Sequence, residues 1–268
     1  IFMPYIRANL ALNNMEVILT AAECYAREGG TENLAEAARL YNLLRDHRIE
    51  NNVHVTFANA DEALVKVLEE DEMTGAAYAR QLAASDCNYI EKYTRKFNYP
   101  ENSRIKSKED LQEMGIKTFF CSNVCAAYKR NIYEKAGGFC KKTIFNEDMI
   151  LAGHMINAGY KVAYVAEARV IHSHNYTGMQ QFHRNFDMAV SQAEHPEVFE
   201  GIKSESEGIK LVKQTAAHLV KRRKIHLVPK LVYQSGCKYI GYRMGKMYKK
   251  LPDKVVKWCS MSPGYWEK

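Results

Sequence analysis

Glu147 and Asp148 stand side by side in "TIFNEDMILAGHMINAGYKVAYVAEARVIHSHNY", residues 143–176, and the same stretch ends in His172-Ser173-His174. Adjacent carboxylates suit general-base work on an alcohol, one taking a proton while the other positions the partner or the chain. A helix start suits them too, because its unpaired N–H groups and its dipole favour the ionised form. A plain capping cluster would have the same spacing. Residues at i and i+2 of a strand share a face, so His172 and His174 can aim at one point, as metal ligands or as hydrogen-bond donors to phosphate. Strand-end histidines without a role would look identical.

Several elements are needed to position these groups. "FNEDMILAGHMINAGY" reads as a helix that starts at the acidic pair and ends at Gly159, and "KVAYVAEARVIHSHNY" has the β-branched and aromatic content of a strand. "IKTFFCSNVCAAYKR" reads as an apolar strand running into a turn and then a helix, which Gly137 and Gly138 stop. Before it, "YPENSRIKSKEDLQEMG" is polar and reads as a surface excursion, with Ser107 as a helix cap for "KEDLQEM". Further upstream, "NLAEAARLYNLLRDH" and "EALVKVLEE" have helical spacing, whereas "VHVTFA" and "MTGAAYARQL" read as extended. Helices interleaved with short apolar strands predict an α/β fold with a mostly parallel sheet, whose ligands sit at the carboxyl ends of strands. Tyr176, Phe182 and Phe186 read as core rather than as ligand contacts.

With 268 residues, 47% hydrophobic and 26% charged, the chain has the profile of a folded protein rather than a disordered one. No window approaches about 18 consecutive apolar residues, and the first residues lack a signal-peptide pattern. Seven cysteines without framework spacing read as reduced thiols of a cytosol, and Cys121 and Cys125 are one residue too far apart for a zinc CxxC. Charge is concentrated in the tail. Residues 203–268 carry 16 Lys and Arg against 4 acids, net +12, whereas residues 1–202 carry 22 against 27, net −5. The basic residues alternate with Leu, Val, Ile and Tyr, which predicts amphipathic helices with either a solvated face or an anionic membrane surface opposite them. No zinc finger, RNP or Gly-x-x-Gly motif accompanies the charge, so nucleic acid is not an expected partner.

Taken in order, "SNVCAAYKRNIYEKAGGF", "FNEDMILAGHMINAGYKVAYVAEARVIHSHNY" and "QQFHRNF" resemble the acceptor half of family 2 glycosyltransferases, most of all the rhamnosyltransferase branch. "AAYARQLAASDCNYIEKYTRKFNYPENSRIKSKEDL" is similar to that branch as well, and the match runs from about residue 61 to the C-terminus. Asn185 stands where processive members carry tryptophan, which speaks against a processive synthase. The N-terminal part departs from the pattern. Glu32 replaces an arginine in "GGTEN", and Asn59-Ala60-Asp61 follows a strand where an Asp-x-Asp is expected.

The resemblance implies a GT-A-like (Rossmann-like) sheet flanked by helices, divided into a truncated or divergent donor side (1–60), a catalytic part (61–200) and a basic helical C-terminal extension (201–268). It implies an inverting sugar transfer from a dTDP- or UDP-sugar to a glycan or lipid-linked acceptor in cell-surface polysaccharide synthesis. Asp148 would be the base, with Glu147 placing the acceptor or the helix start. Gln181 and Arg184 match a Gln-x-x-Arg signature, and Arg184 would meet phosphate. Arg80 and Gln81 would either join it there or anchor the sheet edge, and Ser122 and Asn123 would contact sugar or acceptor. Mg²⁺ or Mn²⁺ would offset charge on the departing diphosphate, with Asp61, His172 and His174 as candidate ligands. The expected setting is the cytoplasm, at the inner face of the cell membrane, and homodimerisation through the C-terminal helices stays open. The alternative is a catalytically incomplete transferase acting as a binding module.

Overall fold

The computed structural model describes residues 32–33, 35–40, 60–202 and 205–267, without the side chains of 60, 61 and 205–207. The chain divides into two compact units, Ile1–Ala63 and Leu64–Lys268. The expected strand "VHVTFA" lies outside the described residues, as does the latter part of "NLAEAARLYNLLRDH", whose described positions are helical.

Helix α1 (Ala60–Glu70) leads into strand β1 (Thr74–Leu82) through a turn in which the Asp71 carboxylate accepts from Met73 N and Thr74 Oγ1 and pairs with Lys161 at 2.9 Å. Strand β1 pairs in parallel with β4 (Lys161–Ile171). Two three-residue strands flank this pair in antiparallel sense, β2 (Arg104–Lys106) against β4 and β3 (Ala126–Tyr128) against β1, giving the order β2-β4-β1-β3. The α/β layering is the expected one and is compatible with a GT-A-like fold; the sheet among the described residues is mixed rather than mostly parallel. Buried residues run without interruption along Thr74–Ala79 and Val162–Ala166, as they must in strands covered on both faces.

Over this sheet lie α2 (Tyr89–Asn98), α3 (Leu111–Met114), α4 (Arg130–Lys135) and α5 (Glu147–Asn157). Their core joins Tyr78, Tyr99, Phe119, Ile132, Leu151, Met155 and Tyr164. Gly137, Gly138 and Gly159 take φ of 87°, 67° and 88° just beyond α4 and α5, the left-handed conformation that ends a helix at little cost to glycine.

Two sequence expectations fail around residues 100–121. "IKTFF" is not a strand: Gly115–Phe119 forms a 3₁₀ turn, and the strand comes later, at Ala126–Tyr128. The polar segment before it is not all surface. Lys106 is 2% exposed, and its Nζ donates to Tyr78 Oη at 3.2 Å, to the Lys117 carbonyl at 3.3 Å and to the Phe120 carbonyl. That buried ammonium engages carbonyls which a strand at 116–120 would have needed for its ladder. Ser107 does open the expected helical segment, its N–H donating to the Asp110 carboxylate at 2.8 Å.

Beyond β4 the chain is helical: α6 (Gly178–Glu194), α7 (Pro196–Phe199), α8 (Glu205–Lys221), α9 (Val228–Lys246) and α10 (Asp253–Cys259). Phe182 and Phe186 of α6 are buried with Val190, Val256 and Cys259, as core residues should be, whereas Tyr176 is half-buried and stacks on His174 instead. A smaller cluster of Ile90, Leu219 and Leu231 joins α2, α8 and α9. Among the described residues no helix is long and apolar enough to cross a membrane.

Candidate active site

Asn146 creates the geometry at the acidic pair. It is buried at φ 63°, ψ 22°, a left-handed conformation that asparagine tolerates better than most residues, and its Nδ2 donates to the Met188 carbonyl of α6 at 3.1 Å. The kink starts α5 so that Glu147 and Asp148 occupy its first turn. Only part of their hydrogen bonding serves the helix start. Asp148 Oδ1 accepts from Met149 N at 2.8 Å, and its Oδ2 reaches across to Asn123 N at 3.1 Å, while Glu147 Oε1 lies 3.4 Å from Asn123 Nδ2. Asn146→Ala should therefore cost about 1–3 kcal/mol of stability, through backbone strain and the lost bond to Met188. Asn146→Gly should cost less, because only the bond is lost; urea unfolding of both variants tests the order.

The loop facing the pair is held from two sides. Ala79 N donates to the Cys125 carbonyl at 2.9 Å, and the Gln81 amide Nε2 donates to Ser122 Oγ at 2.7 Å, so the carboxyl end of β1 carries the loop. Tyr128 Oη donates to Asn123 Oδ1 at 2.6 Å and lies 3.6 Å from Cys121 Sγ. Burial pushes the Cys121 thiol up to about 11, so it is a neutral wall. On the far side of Gln81, Arg95 Nη1 donates to its Oε1, and Arg95 Nε pairs with Glu91 at 2.8 Å. One chain of contacts thus runs from Asp148 through Asn123, Ser122 and Gln81 to Arg95.

The two histidines follow the end of β4. Ser173 Oγ accepts from Ala84 N at 3.0 Å and Asn175 Oδ1 from Asn88 N at 2.8 Å, pinning the segment to the loop beyond β1. Between these anchors the His172 and His174 rings meet edge to face, centroids 4.5 Å apart. Burial, the second histidine and the nearby guanidiniums of Arg95 and Arg184 bring His172 down to about 4; burial and the same two guanidiniums also lower His174. Arg184 lies over the Phe145 ring at 4.5 Å and the Tyr176 ring at 5.6 Å.

Asp148, Glu147, Ser122, Asn123 and Gln81 are therefore brought together, and Arg184, His172 and His174 lie at the same end of the sheet. Gln181 sits one helical turn before Arg184 on α6. Arg80 does not join them. A register shift between Ala79 and Arg80 in the pairing with β4 turns its side chain toward Glu101, 3.4 Å away. The side chain of Asp61 lies outside the described residues.

O-antigen chain rhamnosyltransferase WbaN of Salmonella anatum is 37% identical to this chain over 266 residues, covering 96% of the chain and 81% of that protein. The chain belongs to this glycosyltransferase family. O-antigen chain rhamnosyltransferase RfbN of Salmonella typhimurium is 39% identical over 244 residues, covering 89% of the chain and 75% of that protein. No protein-family model matches. The likeness to WbaN covers too much of the chain to leave all of residues 1–60 outside it, so it reaches further than the motifs after residue 61 suggest.

Transfer to an alcohol acceptor releases a proton, and the surroundings of Asp148 shift its carboxyl in the direction that would suit a base. Burial first, and the neighbouring Glu147 charge second, raise it to about 6 against the pull of the Asn123 and Met149 N–H groups. A base ionising just below neutrality is both deprotonated at pH 7 and a better proton acceptor than an ordinary aspartate. For a divalent cation the described donors fit poorly. No three His, Cys, Asp or Glu side chains among the described residues group to hold a metal, and the histidine pair offers nitrogen where Mg²⁺ takes oxygen. Arg95, Tyr128 and Lys106 were not visible as site residues in sequence. Only the Glu91–Arg95 spacing of four on α2 hinted that Arg95 would be held in place.

Proposed function

We propose that this glycosyltransferase is an inverting rhamnosyltransferase of family 2 type, moving rhamnose from a dTDP-sugar to a lipid-linked glycan at the cytoplasmic face of the membrane. The observation that carries the chemistry is Asp148, half-buried beside the Ser122–Asn123 loop at the carboxyl end of the sheet, with its ionisation raised to about 6. The sugar choice rests on the two rhamnosyltransferase relatives. In the reaction, Asp148 takes the proton of the acceptor hydroxyl as the oxygen bonds to the anomeric carbon. The bond from that carbon to the diphosphate oxygen breaks on the opposite face, and the electron pair leaves with the nucleoside diphosphate. Asn123 and Ser122 present an amide and a hydroxyl where the acceptor sugar would lie, and Gln81 holds that loop in place.

Attachment to the membrane surface is part of the same proposal. Val232, Tyr239, Ile240 and Trp258 each expose more than half of their surface on α9 and α10, among Lys230, Arg243, Lys254 and Lys257. Apolar side chains amid lysines and arginines suit an anionic leaflet, where each basic residue contributes on the order of 1 kcal/mol. The test is transfer of labelled rhamnose from dTDP-rhamnose into the lipid fraction of O-antigen-building cells, with UDP-sugars as competitors and with and without Mn²⁺. Label in the lipid fraction is expected. Efficient transfer from a UDP-sugar instead would overturn the sugar assignment, and nucleotide binding without any transfer would favour a binding module. The protein is also expected to sediment with anionic vesicles at low salt and to be released by high salt.

A further inference from the structure

Helix α9 is seated on α6 by glycine. A Cβ on Gly241 would stand 2.2 Å from the Phe182 carbonyl oxygen, and one on Gly245 would stand 2.3 Å from that of Phe186. Earlier on α9, Gln234 Nε2 donates to the Tyr176 carbonyl at 3.2 Å. Lys238 lies four residues after Gln234 and three before Gly241, on the helical stripe that these contacts turn toward α6. Its ammonium is thereby directed to the region between Tyr176 and the first turns of α6, where Arg184 lies over the Tyr176 ring, which stacks on His174 at 4.8 Å. Half-buried Lys238 feels Arg184 and Arg95 as like charges.

These cations are short of partners. Glu91 is the carboxylate near Lys238, and it is already engaged by Arg95. Arg184 forms no ion pair, and neither it nor Lys238, nor the imidazole nitrogens of His172 and His174, has a hydrogen-bond acceptor among the described residues. Gathering like charges in a half-buried place is unfavourable unless an anion joins them. The cluster is also linked by side-chain contacts to the reaction centre. Arg184 packs on Phe145, next to the kinked Asn146 that positions Asp148, and Arg95 holds Gln81, which holds Ser122.

We propose that Lys238, Arg184, Arg95 and the His172–His174 pair form one pocket for the diphosphate group of a substrate, so that the C-terminal helix α9 is part of the substrate site rather than an appendage. The inference deepens the transferase reading and rests on it for the source of the diphosphate, which both a nucleotide-sugar and a lipid-linked acceptor carry. Guanidinium groups supply paired donors to phosphate oxygens, and the lysine supplies a compact charge.

The experiment is calorimetric titration of the full chain with inorganic pyrophosphate, dTDP and farnesyl diphosphate, none of which requires sugar transfer to occur. The unsubstituted chain is expected to bind pyrophosphate, and Lys238→Gln to weaken that binding by about 10-fold or more, the loss of one charged contact. Lys238→Arg should stay within about 3-fold of the unsubstituted chain, as should Lys213→Gln on the exposed face of α8. Unchanged thermal unfolding of Lys238→Gln shows that the helix has not come loose. A parallel loss for dTDP places the leaving diphosphate in the pocket; a parallel loss for farnesyl diphosphate places the lipid carrier there. Equal binding of all three probes by Lys238→Gln overturns the proposal. So does an equal loss in Lys213→Gln, and so does a loss confined to pyrophosphate, which would mark an adventitious ion site.

Discussion

Asp148→Asn is expected to lower sugar transfer by about 10²–10⁴-fold, the span of a removed general base, and at the same time to make the folded chain more stable at pH 8. Both effects come from the half-buried Asp148 carboxylate. In the folded protein it ionises near 6, against an ordinary value of 3.8, because burial penalises its charge and Glu147 repels it. The native state therefore holds a proton that the unfolded chain has released between those values, and stability falls as pH rises through that window. Asparagine carries no charge to bury. After discounting for partial exposure, its advantage should be about 1–2 kcal/mol above pH 6 and should vanish below about pH 4. The rate of the unsubstituted enzyme should rise through pH 6 and level off above it, with Glu147→Gln moving that limb to lower pH. Urea unfolding at pH 4 and pH 8, alongside the pH–rate profile, measures both effects. An Asp148→Asn variant retaining transfer within about tenfold would remove Asp148 from the role of base.

Sequence reasoning reaches this site unevenly, and the division follows the range of the interactions. Glu147 and Asp148 at a helix start, and the glycines at 137, 138 and 159 that end two helices, are matters of a few neighbouring residues, and each lies where local rules place it. Strands β1 and β4 show as apolar runs because both of their faces are covered. Strands β2 and β3 have three residues each, too few for any period to show, and with them went the antiparallel edges of the sheet. The Gln81–Ser122 bond joins residues 41 apart, and nothing local to either announces it. Arg80 and Gln81 looked equivalent until the register shift beside β4 separated them, sending one to Glu101 and the other into the site. Lys106 was hidden by its own chemistry. A lysine in a polar stretch signals surface, and only its three oxygen partners, two of them backbone carbonyls that themselves needed a donor, make its burial affordable.

Gly241→Ala is expected to destabilise the protein by about 2–4 kcal/mol, although alanine is the better helix former by about 1 kcal/mol. Propensity and packing pull in opposite directions here, and the distances decide between them. The added methyl would meet the Phe182 carbonyl oxygen at 2.2 Å and the Phe182 Cα at 3.1 Å, main-chain atoms of α6 that no rotamer change can move aside. Helix α9 would have to lift, loosening the cluster of Phe182, Phe186, Val256 and Cys259 against which its Cys237 and Met244 pack. Gly236, five residues earlier on the same helix, has nothing within 4 Å of where a Cβ would go. Gly236→Ala should therefore stabilise by up to about 1 kcal/mol, the propensity gain without the clash. Opposite signs from the same substitution on one helix, read by thermal or urea unfolding, would show that the glycines of α9 are there for close approach at 241 and not for flexibility. A stabilised Gly241→Ala would mean that α6 and α9 can separate cheaply, and Lys238 would then lose the rigid support that directs it toward Arg184.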